Sequence, residues 1–195
     1  MAPTDIFNLL SFDDAFVSKR GSKPCRLRHD NGDLTYCPAA FSRVPFCPST
    51  FDKDPLATRL SMVLECDEEL QQFASALDEW AVNYLACHSE RIFKKQLTPD
   101  QIRVNYNGLL KQAPGYPPTL KCKMDLEGRR EICCWDLNGE RIEAPGDWRT
   151  VVVKPKLHFS HLWIMGAQYG IVVQLTDAQL KPSENAPGVR ENPFK

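Results

Sequence analysis

Apolar and polar positions alternate with a period of two over much of the last third of this chain. Between Thr119 and Met124, Leu120, Cys122 and Met124 fall on one side and Lys121 and Lys123 on the other. That is the pattern of a strand with one buried and one solvated face. The stretch Val152–His158 repeats it, with Lys154, Lys156 and His158 opposed to Val153, Pro155 and Leu157. Two apolar-aromatic runs follow, His158 to Met165 and Gly170 to Leu175, and predict a pair of strands around Gly166-Ala167-Gln168-Tyr169.

Upstream the period changes to that of a helix. Asp67 reads as an N-cap with Glu68 and Glu69 in the first turn, and Leu70, Phe73, Leu77, Trp80, Ala81, Tyr84 and Leu85 recur at helical spacing to about His88. Thr98-Pro99-Asp100-Gln101 starts a second helix with a capping box, its stripe formed by Ile102, Tyr106, Leu109 and Leu110. Before the helices, Pro24–His29 and Leu34–Cys37 predict a hairpin turning at Asp30-Asn31-Gly32-Asp33, which places Arg26 and Arg28 on one face. A Pro- and Phe-rich loop from Ala40 to Pro55 then leads to a strand over Thr58–Cys66. After the helices, strand 119–125 turns through Leu126 to Arg130 into Glu131–Leu137, Asn138-Gly139 marks a tight turn, and a long strand begins at Arg149.

Composition adds bounds. At 195 residues, 43% apolar and 25% charged, the chain suits one domain with a substantial core. We expect that domain over 1–180, with a helical insertion at about 67–112 and a flexible tail at 181–195. The formal net charge of −1 supplies no global electrostatic footprint, but charge is segregated along the chain. Lys19, Arg20, Lys23, Arg26 and Arg28 occur with no intervening acid, whereas Asp67, Glu68, Glu69, Asp78 and Glu79 occur with no base. Met1 to Leu10 has no basic start and no long apolar run, so no signal peptide is expected and the eight cysteines fit a reducing compartment. No stretch approaches the length of a membrane span.

Catalytic constellations are not evident. No G-x-S-x-G, H-E-x-x-H, P-loop or dinucleotide fingerprint occurs, and no cofactor is expected. On a regular strand His158 and His161 would point to opposite faces. Cys25, His29, Cys37 and Cys47 are conceivable zinc ligands, but their spacing matches no common module. Lysine and arginine beside aromatic rings make a better-supported constellation, because cations neutralise phosphates and rings stack on bases. Arg26, Arg28, Lys121, Lys123, Arg129, Arg130, Lys154, Lys156 and His158 supply the polar part, and Trp135 and Tyr169 are the candidate platforms, with Phe159 and Trp163 in the same strands.

The run Ser89-Glu90-Arg91-Ile92-Phe93-Lys94-Lys95-Gln96-Leu97-Thr98, then Tyr106, then Gly115-Tyr116-Pro117-Pro118-Thr119-Leu120-Lys121-Cys122-Lys123, resembles the single-stranded-DNA-binding proteins of nucleocytoplasmic large DNA viruses. Leu162 to Leu175 resembles their closing hairpin, and the similarity spans roughly Thr58 to Leu180. This resemblance implies a mainly β, α+β fold: an OB-like Greek-key barrel with two inserted helices, distantly similar to the T7-type phage single-stranded-DNA-binding protein. It also implies non-enzymatic, largely sequence-independent binding of single-stranded DNA in replication, recombination or repair, in host cytoplasm or nucleus. The phage proteins carry an acidic tail ending in an aromatic residue. Here Phe194 is present but the acidity is nearly absent, so tail-mediated recruitment is not carried over.

The expected partner is therefore single-stranded DNA, with RNA left open, replication proteins and further copies of the chain left open as protein partners, and no membrane. Two other readings stand beside it. One is a virion or oligomer-forming β-barrel module; the other is a metal-dependent nuclease using carboxylates such as Asp13-Asp14 or Asp67-Glu68-Glu69.

Overall fold

A computed structural model describes residues 6–13, 24–30, 32–50 and 56–184. Lys19, Arg20 and Lys23 of the basic segment, Asp14, Asn31 of the first turn, and the tail from 185 onward with Phe194 lie outside the described residues. The strands are β1 (Leu10–Phe12), β2 (Cys25–His29), β3 (Gly32–Tyr36), β4 (Ser42–Arg43), β5 (Arg59–Glu65), β6 (Tyr106–Asn107), β7 (Leu110–Lys111), β8 (Thr119–Asp125), β9 (Cys133–Trp135), β10 (Arg141–Ile142), β11 (Val151–Met165) and β12 (Gln168–Pro182). The helices are α1 (Glu68–Cys87), α2 (Ser89–Phe93) and α3 (Pro99–Asn105).

The antiparallel hairpin β11–β12 is the spine of the fold. Gly166 takes the positive φ of 60° that its tight turn needs, and the strands pair from Met165↔Gln168 back to Val151↔Pro182. Each outer edge of this hairpin is covered by three short strands in succession. β2, β3 and β4 pair antiparallel along β11, while β6, β8 and β9 pair parallel along β12. β5 adds to β8 through seven register pairs from Arg59↔Asp125 to Glu65↔Thr119. The chain after β4 returns to β5 through the Ser49↔Ser61 bridge and an Arg43–Glu65 ion pair at 3.6 Å. The segment around β4 is thereby brought against β5 around one core, which leaves less of the sheet edge exposed.

Alternation decides what that core contains. Leu120, Cys122 and Met124 of β8 are buried, as are Val153, Leu157, Phe159 and Leu162 of β11 and Ile171, Val173 and Leu175 of β12. Helix α1 lays Leu70, Phe73, Ala74, Leu77, Ala81, Val82 and Leu85 onto this core. Its N-cap is Asp67, which accepts from Leu70 N at 3.0 Å. Phe73 stacks on Tyr36 at 3.9 Å between centroids and meets Phe159 at 5.5 Å. The capping box of α3 forms as the sequence predicts: Thr98 Oγ1 accepts from Gln101 N, and Gln101 Oε1 accepts from Thr98 N.

Several expectations change. The second helix ends at Asn105, and Tyr106 and Leu110 lie in β6 and β7. Asp78 of α1 explains the break, because its carboxylate accepts from Tyr106 Oη at 2.7 Å and Leu109 N at 2.8 Å. Gly108 makes room for it; a Cβ there would lie 3.0 Å from Asp78 Oδ2. The strand expected over Glu131–Leu137 is shorter, β9 at Cys133–Trp135, and pairs with β10 and β12. β8 and β9 follow one another along the same edge of β12, joined by a loop that carries Arg129 and Arg130. The last strand also begins at Gln168, so Tyr169 belongs to β12 and not to the turn.

Among the described residues, no helix is long and apolar enough to cross a membrane. Among the described residues, no group of three or more His, Cys, Asp or Glu side chains could hold a metal ion. Cys25, His29, Cys37 and Cys47 are not brought together as a site.

Candidate functional site

The key local feature is an irregularity in β11. Phe159 pairs with Val173 and His161 pairs with Val172, so Ser160 is an extra residue in the strand. Such a bulge shifts alternation by one position. His158 and His161, which a regular strand would send to opposite faces, both line one cavity on the outer side of the sheet. Ser160 holds the bulge: its hydroxyl lies 3.2 Å from Val172 O, to which it donates, and 2.9 Å from His161 Nδ1.

That cavity, of about 320 Å³, is lined by Arg26, Arg28, Arg130, His158 and His161, with Asp33 and Ser160 also in the wall. Three separated segments build it. β2 projects Arg26 and Arg28 outward because Cys25 and Leu27 are buried on the other side. The β8–β9 loop turns back so that Arg130 Nη1 donates to Gln174 Oε1 at 3.1 Å, and Gln174 is the register partner of His158. Arg26 itself pairs with His161 across the β2–β11 register.

The guanidinium groups are unequally engaged. Arg28 is held by Asp13 at 3.0 Å and by Asp33 at 3.3 Å. Arg26 is exposed and makes no ion pair among the described residues. His158 is 8% exposed; its Nε2 has no hydrogen-bond partner among the described residues and lies 3.6 Å from Asp33 Oδ2. Burial lowers the pKa of both histidines, and Arg130 lowers each further, whereas Asp33 works the other way on His158. The site therefore combines fixed positive charge with imidazoles held neutral.

The outer face continues beyond the cavity. Across the sheet, Gln174 is level with Lys123, and Lys123 with Ser61, whose hydroxyl accepts from Lys123 Nζ at 2.6 Å. Lys121 is exposed on the same side of β8, and burial followed by the neighbouring charges of Lys121 and Arg59 lowers the Lys123 pKa. Along β11, Trp163 lies on the far side of His161 and is half-buried. In the other direction come Lys156, paired with Asp177 at 3.4 Å, and Lys154. Trp135 Nε1 donates to the same Asp177 at 3.2 Å. Arg129 is exposed on its loop.

One predicted platform is corrected. Tyr169 is 3% exposed, its hydroxyl donates to Ile102 O at 2.8 Å, and its ring packs 5.0 Å from Phe93. It joins hairpin to helices and presents no face for a base. Phe159 is likewise fully buried. His161 and Trp163 are the outer-face residues that strand parity did not select. A bulge has no reliable local signature, whereas Gly170 opposite Trp163 was a legible cue to an aromatic ring lying across a neighbouring strand.

No family model matches the sequence, and no curated protein matches it by sequence. Solved structures do match the fold. The single-stranded DNA-binding protein from bacteriophage Enc34, in complex with single-stranded DNA, is similar at a TM-score of 0.52 and 11% identity, over 91% of this chain and 99% of that one. A C-terminal truncation of the Enc34 protein has a TM-score of 0.48 at 10% identity, over 92% and 98%. The single-stranded DNA-binding protein gp2.5 encoded by bacteriophage T7 has a TM-score of 0.47 at 14% identity, over 82% and 99%. The chain is thus a mainly β protein with inserted helices, built on an OB-like barrel that it shares with the Enc34 protein over nearly its whole length.

Proposed function

We propose that this protein is a non-enzymatic binder of single-stranded DNA with little sequence preference, serving DNA replication, recombination or repair. The observation that carries the proposal is the convergence of Arg26, Arg28, Arg130, His158 and His161 on one outer-face cavity, with Trp163 farther along the same face of β11. Fixed guanidinium groups take backbone phosphates and release their counterions. A half-buried indole stacks on any base without reading its edge, which gives affinity without sequence preference. Lys121, Lys123 and Arg129 extend the track on one side; Lys154, Lys156 and Trp135 extend it along β11 and β9. The fold supports this reading, because the similar Enc34 protein is one seen with single-stranded DNA.

Fluorescence anisotropy with labelled oligonucleotides tests it. Binding should favour single strands over duplex and should weaken steeply with salt. No binding at low salt, or a preference for duplex, would overturn the proposal.

A second reading, a self-associating module, draws on the other end of the hairpin. An open cavity of about 640 Å³ there is lined by Phe93, Leu97, Val104 and Gly166, and Val104 is 81% exposed. Sedimentation at rising protein concentration separates the two, since an apolar contact persists in high salt and the DNA complex does not.

A further inference from the structure

The cavity on the outer face has a property that a generally basic surface lacks. We infer that it is a discrete phosphate site whose affinity is linked to proton uptake by His158 and His161. The inference rests on the single-stranded DNA reading for the strand that delivers the phosphate, but not for the chemistry of the pocket itself.

Geometry comes first. The bulge at Ser160 turns both imidazoles into a cavity already walled by three guanidinium groups. The Ser160 hydroxyl donates its proton to Val172 O, so its contact with His161 Nδ1 requires that ring to donate Nδ1–H. Nε2 of neutral His161 then carries no proton. His158 Nε2 is buried and unpartnered among the described residues. His161 Nε2 therefore stands in a cationic pocket and becomes a donor to a phosphate oxygen only when its ring is protonated, while proton uptake by His158 adds a positive charge beside it.

Surrounding charges set the direction of the linkage. From β2 come Arg26 and Arg28; from β3, Asp33; from the β8–β9 loop, Arg130; from β5, Arg59. Lys123 lies one strand beyond Gln174 on β8, where Asp125 accepts from Gln174 Nε2 through Oδ2 at 3.4 Å and pairs with Arg59 through Oδ1 at 3.3 Å. Burial and the arginines keep the free imidazoles neutral, while Asp33 opposes this only at His158. A bound phosphate adds negative charge and favours the protonated rings. Their pKa values are thus higher in the complex than in the free protein. Affinity rises as pH falls through that window, by about tenfold for each pKa unit that binding restores. Below the free-state values it levels off.

The test uses the full chain and imidazole proton resonances, with inorganic phosphate as the probe and chloride at matched ionic strength as the control. His158 and His161 should shift and titrate at higher pH with phosphate, while His29 and His88 should not. The exposed Arg26→Gln/Arg130→Gln variant should lose the response with its melting temperature retained. Phosphate without effect on His158 and His161, or an equal effect on all four histidines, would overturn the site. A second arm compares 5′-phosphorylated and 5′-hydroxyl oligonucleotides at two pH values. Pocket-dependent, pH-dependent affinity for both assigns an internal phosphate, and a gain confined to the phosphorylated strand assigns a terminal one. Strand binding that ignores both pH and the arginine variant would overturn the pocket while leaving the proposed function standing. A phosphate response without oligonucleotide binding would do the reverse.

Discussion

Trp163 lies directly across Gly170 on the neighbouring strand: a Cβ at Gly170 would sit 3.3 Å from Trp163 Nε1 and 2.8 Å from Asn107 O. One missing side chain thus lets β6 approach β12 closely and gives the indole a place to rest. Gly170→Ala should push against the Asn107 backbone and cost roughly 1–3 kcal/mol of stability. Urea unfolding reads this directly, and an unchanged midpoint would show that β6 yields freely.

The same arrangement makes Trp163 the strongest aromatic candidate for base stacking, since it lies on the outer face across from a glycine and is only half-buried. Trp163→Ala should weaken oligonucleotide binding by about 1–3 kcal/mol with little dependence on base composition. Trp135 is anchored to Asp177 through Nε1, so Trp135→Ala should have the smaller effect. Anisotropy titrations of the two variants against the same strand compare them, and the opposite order would move the stacking site toward β9.

Tyr169 provides a negative control for the interface. Its buried hydroxyl donates to Ile102 O, so Tyr169→Phe should lower stability by about 1 kcal/mol and leave oligonucleotide affinity intact. A loss of affinity without a loss of stability would return Tyr169 to the binding surface.

Asp78 governs how the helices meet the barrel and should be visible in the pH dependence of stability. Burial pushes its pKa up to about 6 from an ordinary 3.8, against the opposing hydrogen bonds of Tyr106 and Leu109. Between those values the folded chain holds a proton that the unfolded chain has released. Stability from this group is therefore greatest below pH 4 and declines as pH rises through 6, by about 3 kcal/mol in all. Asp78→Asn should flatten that decline relative to the parent. Parallel stability profiles in chemical denaturation at pH 4 to 7 would contradict this account.

Local physics made much of the architecture legible. The parity of Lys121 and Lys123 against Leu120, Cys122 and Met124 holds in β8, the Asp67 and Thr98 caps form, and the apolar stripe of α1 is the buried one. What escaped depends on partners distant in sequence. Tyr106 and Leu110 have helical spacing, yet the Asp78 carboxylate and the edges of β12 and β8 draw them into strands. Arg130 reaches the site because β8 and β9 share one edge of β12, an arrangement that the spacing of two short strands does not reveal. Ser160 mattered most: one extra residue in β11 moved His161 onto the outer face.

We expect the outer-face cavity, and not positive charge in general, to hold the strand. The most direct measurement is the salt dependence of single-strand binding for Arg26→Glu/Arg130→Glu beside a control reversing Lys154 and Lys156, the latter already paired with Asp177. Reversing the two arginines should nearly abolish binding and lower the salt slope by about one for each phosphate no longer neutralised, while the lysine control should weaken it less. Equal weakening in the two variants, or retained affinity with the arginines reversed, would contradict that expectation.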